Sequence, residues 1–281
     1  MIISTQTDGL SRAFGDKEMV RILAENGYDA IDYSMFYMTD KNDKRFREDG
    51  NYCDYFKELK ALSEKYNISF NQTHPPFPTC MEGNDEYNEK IFKLLIEAIK
   101  CSSILGAKYA IIHPNHVSEN IFEKNMTFYK SLLPYAKEYN VVICLENMFS
   151  WKDKAYPTAC GTSEDFVKYL DTLYSDYFKA CLDIGHAGIS GQSAADMIHA
   201  LGHDRLKALH VHDNDNYYDL HTLPFTGKIE WENIMKALGD IDYTGDFTFE
   251  GDNFINKMPV ELKIEASSFM LKVGKYLIGR I

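Results

Sequence analysis

A (β/α)8 barrel is the fold this sequence predicts, and three observations predict it. Short β-rich runs alternate with longer helix-like segments, eight times over in 281 residues. Most of the β-rich runs are apolar from end to end, as parallel strands covered on both faces must be. No linker or low-complexity stretch interrupts the alternation, so a single domain over residues 1–281 accommodates all of it. A doubly wound sheet is the alternative. Its dinucleotide-binding form lacks support, because no G-x-G-x-x-G turn follows any strand.

The elements run in order. "MIIST" is the first strand, and "FGDKEMVRILAENG" the first helix, with Met19, Val20, Leu23 and Ala24 at helical spacing and Gly27 as the stop. "YDAIDYS" and "YCDYFKELKALSEKYN" make the second pair. "ISFNQTH" is the third strand, and "EYNEKIFKLLIEAIKCSSILG" places Ile91, Leu94, Leu95, Ala98 and Ile99 on one apolar stripe. "KYAIIHP" precedes "FEKNMTFYKSLLPYAKEYN", in which Pro134 predicts a kink or break. "VVICLEN" is the fifth strand, and Thr162-Ser163-Glu164 is a capping signature for the helix after it. "FKACLDIGH" leads to a helix over residues 193–201, "LKALHVHDN" to one at "WENIMKALG". "DFTFEG" leads to a closing helix that Pro259 is placed to start.

Composition narrows the function. The formal charge of −12 repels phosphate backbones, and no Lys/Arg run exceeds two residues, so nucleic acid is a disfavoured partner. The six cysteines are scattered without a C-x-x-C pair, which reads as small buried thiols in a reducing compartment. No basic leader or membrane-length apolar run is present, and a cytoplasmic protein with no membrane partner is expected. The oligomeric state stays open, a homo-oligomer included.

The chemistry lies where the acids and histidines fall. In a barrel of this kind the active site sits at the C-terminal ends of the strands. Strand three ends in His74, strand four in His113 and strand five in Glu146. Strand six ends in Asp183 with His186 three residues on, strand seven in His210, and strand eight in Glu250. A single histidine at a strand end is commonly a hydrogen-bonded loop residue. Six successive strands that each finish on a cation-binding residue form a set, and a barrel would converge that set on one mouth. Carboxylates so crowded repel one another unless a cation neutralises them. Mixed His/carboxylate ligation suits Zn, Mn, Co or Fe better than Ca or Mg. His212 points to the same side as His210 and is either a supporting residue or exposed. Asp213, Asn214 and Asp215 read as turn residues, and Asp219 and His221 as a pair able to fold back over the site.

On "LDIGHA", "HVHDND", "DLH" and "FEG", the chain resembles the xylose isomerase-like TIM barrels, the superfamily of sugar isomerases and epimerases and of endonuclease IV. The resemblance covers essentially the whole chain. It implies a metal core of Glu146, Asp183, His210 and Glu250, with His186 toward the substrate. The larger, three-zinc pattern of endonuclease IV can also be traced, through His74, His113, Glu146, Asp183, His186, His210, Asp219, His221 and Glu250. One divalent ion is expected, and up to three by that second pattern. There are departures. The family's Pro-Gly-Glu-Gly turn reads "PFTGKIEW" here. The arginine of ketohexose epimerases is absent from "NDNYY", and the loop after the strand-five glutamate, "ENMFSWKDK", lacks the endonuclease sequence.

The resemblance implies a metal-dependent isomerase or epimerase acting on a small sugar-like carbonyl compound. Glu146 and Glu250 would be the catalytic bases, and His186, Trp151 and Phe77 would contact the substrate. Tyr33, Phe36 and Phe149 are further aromatics, for stacking on a sugar face or for ordinary packing in the core or at the rim. The rival readings are a multi-zinc phosphoester hydrolase and a non-catalytic metabolite-binding barrel.

Overall fold

The computed structural model describes residues 1–40, 43, 45, 52–150 and 158–281. Its strands are β1 (Ile3–Gln6), β2 (Ala30–Ser34), β3 (Ser69–His74), β4 (Tyr109–Ile112), β5 (Val142–Glu146), β6 (Phe178–Asp183), β7 (Leu206–Val211) and β8 (Phe247–Phe249). They run parallel and close into a barrel in chain order, the ring completed where Ile3 pairs with Phe247. The expected (β/α)8 fold is therefore the fold observed. The pairing register shifts between Ile31 and Asp32 against β3, and between Ala180 and Cys181 against β7. Such irregularities re-aim the residues beyond them, and here those residues include Asp32 and Asp183.

The outer layer is built from α2 (Asp16–Asn26), α3 (Tyr52–Lys65), α4 (Asp85–Leu105), α5 (Ile121–Tyr139), α6 (Ser163–Leu173), α8 (Ala194–Arg205), α9 (Trp231–Asp240) and α11 (Lys263–Ile278). Their apolar stripes bury Phe56, Leu95, Tyr129, Phe166, Met197 and Leu238. At the predicted capping site Thr162 accepts from the Asp165 amide at 3.2 Å. Ser193 does the same for Asp196 at the start of α8.

Three helices escape the sequence pattern: α1 (Asp8–Phe14), α7 (Ile184–Ile189) and α10 (Asp252–Asn256). Each is too short for a 3.6-residue period to show, and each comes directly after a strand, at the mouth. Two expectations are corrected. Pro134 does not break its helix, since α5 runs through it. Pro134 lies on the exposed face, where the carbonyl freed by its missing N–H can bond water. The closing helix begins at Lys263 rather than Pro259, after a 3-10 turn at Val260–Leu262.

The barrel interior has two unlike halves. Tyr109, Ile111, Cys144, Cys181 and Ala208, from β4 to β7, form a small apolar cluster of their own. The strands opposite contribute the buried polar residues Ser4, Asp32, Asn71, Gln72 and Thr248. All six cysteines are free, and Cys101, Cys144, Cys160 and Cys181 are buried, as the composition suggested. Among the described residues no helix is long and apolar enough to cross a membrane.

Candidate metal centre at the barrel mouth

The strand ends deliver their side chains to one place. Glu146 ends β5, Asp183 ends β6, His210 is the penultimate residue of β7, and Glu250 comes directly after β8. All four are buried, and each offers a ligand atom within 4.8 Å of the others'. His210 Nδ1 lies 3.3 Å from Glu146 Oε1 and 3.2 Å from Glu250 Oε2.

Three further groups adjoin this one, of which Asp32, His74 and His210 form a buried set that shares His210, and the other two flank it. His74, at the end of β3, and His113, one residue beyond β4, bring their Nε2 atoms to 2.9 Å of each other. His113 Nε2 is 3.0 Å from Glu146 Oε2, so Glu146 belongs to both groups. On the other side His186, His212, Asp219 and His221 gather. His186 Nδ1 donates to the Asn147 carbonyl at 2.8 Å, and His221 Nδ1 to the Glu250 carbonyl at 3.0 Å. With Nδ1–H so engaged, each imidazole presents Nε2, and both Nε2 atoms face Asp219 Oδ2, at 3.6 and 2.9 Å. Backbone anchoring of this kind fixes the ring tautomer of a ligating histidine. All nine ligand-type residues named from the sequence thus reach the mouth.

The residues fit a divalent cation on chemistry as well as position. Glu146 Oε2, His210 Nδ1, His74 Nδ1 and Asp219 Oδ1 are buried without a hydrogen-bond partner. A buried polar atom left so costs about 1–3 kcal/mol, and coordination would satisfy each. The two glutamates respond oppositely to the shared site. Burial pushes the Glu250 carboxyl well above its ordinary range, reinforced by Glu146 and Asp183. Burial acts on Glu146 too, but His210 and His113 outweigh it and hold Glu146 well below. Two carboxylates in one dry site cannot both ionise without a compensating positive charge.

The flanking histidines make a testable prediction. Burial disfavours the charged forms of His186 and His221. The carboxylates around them outweigh that effect, Asp183 and Asp219 at His186, Asp219 and Glu250 at His221. Both pKa values are pushed up to about 10. Because these folded-state values exceed the ordinary 6.5, their stabilisation is complete below pH 6.5 and is lost as pH rises through about 10. The chelator-treated protein should therefore lose thermal stability between pH 7 and 10, and zinc addition at pH 8 should release protons into weak buffer. A flat melting profile with no proton release would contradict this account of the flanking group.

Several residues were unassigned or misread in the sequence. His212 is not exposed: it is fully buried, with Nε2 3.1 Å from both Asp183 oxygens. Its ring stacks on His221 at 4.2 Å and packs so close to Gly185 that a Cβ there would come within 2.1 Å of it. Asp213 and Asn214, in the loop predicted for them, are buried as well. The Asp213 carboxylate accepts from the amides of Asn214, Phe225 and Ile229 and from Trp231 Nε1, at 2.9–3.1 Å. Asn147 ties β5 to β6 by exchanging two hydrogen bonds with the Asp183 backbone. Period-two alternation in "HVHDN" was the signal for His212, but alternation alone could not tell a buried partner from a rim residue.

Of the aromatics, Phe77 (44% exposed) lies 4.8 Å from the His113 ring, Phe36 4.8 Å from His74 and Phe149 4.8 Å from His186, all at the mouth. Tyr33 takes the core-packing alternative. It points out of the barrel into the helical layer, packed on Phe56 and Phe70 and donating to Asp16 at 2.6 Å. Trp151 lies outside the described residues.

Known proteins share this architecture. The fructoselysine 3-epimerase of Shigella flexneri is 23% identical over 69% of this chain and 72% of its own. A probable endonuclease 4 of Mycoplasma mobile is 29% identical over 66% of this chain and 64% of its own. The crystal structure of the IolI protein with a binding zinc atom superposes with a TM-score of 0.78 at 16% identity, over 100% of this chain and 99% of that one. The family model described as xylose isomerase-like TIM barrel matches residues 20–272, and the chain belongs to that family.

Proposed function

We propose that the protein is a divalent-metal-dependent isomerase or epimerase of a sugar or related small polyhydroxy carbonyl compound. One observation carries the reading: Glu146, Asp183, His210 and Glu250 converge, buried, on a single point at the mouth. The similarity to a sugar 3-epimerase supports the substrate class. When bound, a cation there supplies Lewis acidity toward a carbonyl oxygen and its neighbouring hydroxyl. Glu146 and Glu250 rise from well-separated strands, β5 and β8, so they can face a bound substrate from two sides. One carboxylate removes the proton on the carbon beside the carbonyl, leaving an enediolate. The other, in its protonated acid form, gives a proton to the opposite face, which inverts that carbon. His186, its Nδ1 held by the Asn147 carbonyl, directs Nε2 toward a substrate oxygen, while Phe77 and Phe149 offer apolar faces at the rim.

A second reading, a multi-zinc phosphoester hydrolase, draws on the two flanking groups, which would let several cations clamp a phosphate and activate water. The similarity to a probable endonuclease 4 agrees with it. The charge of −12 favours a small phosphoester over DNA. Elemental analysis of the purified protein, paired with NMR detection of solvent deuterium entering candidate ketoses, separates the two. We expect deuterium at the carbon next to the carbonyl. Absence of exchange across a ketose panel, together with two or three bound ions and phosphoester cleavage, would overturn the isomerase reading for the hydrolase.

A further inference from the structure

A recess of about 120 Å³ lies beside the centre, walled by the loops that follow β3, β4 and β5. Phe77 and His113 belong to its wall as well as to the mouth, their rings 4.8 Å apart. His113 Nε2 is 3.0 Å from Glu146 Oε2, so the recess begins one imidazole ring away from the central group. In a barrel of this kind the loops at this end set what is bound.

The size and chemistry of the recess narrow what it takes. A water molecule's share of liquid volume is about 30 Å³, so there is room for at least about four non-hydrogen atoms. Among the described residues no lysine, arginine, aspartate or glutamate lines it. Phe77, Val117 and Met148 give it apolar walls, and Thr79 and Asn115 add polar groups. Thr79 is only 6% exposed, and its Oγ1 has no hydrogen-bond partner. Asn115 Oδ1 is buried without one too. Asn115 is held firmly: its amide donates to Asn125 Oδ1 at 2.6 Å, and Asn125 Nδ2 donates to its carbonyl at 3.0 Å. A charged group pushed between these walls would be desolvated without a counter-ion. A hydroxyl both donates and accepts, so it can serve Thr79 and Asn115 together.

We propose that this recess receives the uncharged, hydroxylated end of the substrate, and that Thr79 and Asn115 select it. A terminal –CHOH–CH2OH unit has four non-hydrogen atoms and matches the space. The inference rests on the sugar reading above and deepens it: the far end of the substrate is a free diol, not a phosphate or a carboxylate.

The test is polyol binding by the zinc-loaded full-length protein, followed by NMR titration with glycerol, xylitol and sorbitol. Glycerol has oxygens enough for the centre alone, and the longer polyols add the end that reaches the recess. Sorbitol should bind about 10–100-fold more tightly than glycerol. Thr79→Val removes the hydroxyl at nearly constant volume and should cut that advantage by about 3–10-fold. Val117→Phe fills the recess and should abolish it. Zinc content, by elemental analysis, should stay at the wild-type level in both variants. A sorbitol advantage that survives both changes would show that the recess holds water only, and would overturn the inference while leaving the proposed function intact. Sorbitol 6-phosphate that binds more tightly than sorbitol, and loses that gain in Val117→Phe, would overturn it in favour of a charged end. A zinc-loaded wild type that binds no polyol, glycerol included, would instead remove the sugar reading and the inference with it. Should Val117→Phe fail to fold, Thr79→Val decides.

Discussion

Replacing Glu146 by glutamine should cut kcat/KM by on the order of 10³-fold while leaving the barrel folded. The exchange keeps the shape and removes the charge, at the one carboxylate that belongs to both the central group and the His74–His113 group. Both proposed cation sites lose the carboxylate they share, and the proposed proton transfer loses one of its two bases. The ion pairs with His113 and His210 disappear as well. Cation content by elemental analysis should fall with activity, and circular dichroism should show an unchanged fold. Glu250→Gln should also abolish turnover. It should cost less cation, because Glu250 serves the central group and not the His74–His113 group. Full turnover in either variant would remove that carboxylate from the chemistry.

Asp213→Ala should be the most destabilising single change near the site, by about 3–5 kcal/mol, lowering the melting temperature by roughly 6–12 °C. The carboxylate is fully buried and accepts four N–H groups, three of them from residues 12 to 18 positions further along the chain. The backbone reinforces it, since Asp213 and Thr222 exchange both amide–carbonyl bonds. Gly227 packs so tightly that a Cβ there would come within 2.3 Å of the same carboxylate. Alanine leaves all four donors without this partner, those of Asn214 and Trp231 fully buried. Asp213→Asn keeps one acceptor oxygen and should lose about half as much. Differential scanning calorimetry reads both. An Asp213→Ala protein that melts with the wild type would show that the segment from 213 to 231 is held by something else.

Much of this site could be read from the sequence because a parallel barrel enforces two simple rules. Buried strands stay apolar until they end, and the residues at or just past each end face the mouth. All six of His74, His113, Glu146, Asp183, His210 and Glu250 obey the second rule and arrive at the mouth; the first holds for β4 and β5 and fails for β3 and β8, which Asn71, Gln72 and Thr248 interrupt. The buried polar residues around them obey neither. Asp32 and Gln72 lie in mid-strand, where an inward-facing polar residue is visible only as an interruption of the apolar run. Asp213 and Asn214 come after a strand in a polar stretch that looks solvated, and only three-dimensional packing reveals the donors that bury them. The helices α1, α7 and α10 were invisible for a related reason: five to seven residues span too few turns to declare a period.

Asp219 and His221 ride on one excursion of the chain between β7 and α9, clasped shut at its base by Asp213 and Thr222. The four residues proposed as central ligands come from the strands and their immediate ends. How many ions such a scaffold carries is thus separable from whether it carries one. Replacing Asp219 and His221 together by alanine should therefore reset the number of ions held and leave the staves of the barrel untouched.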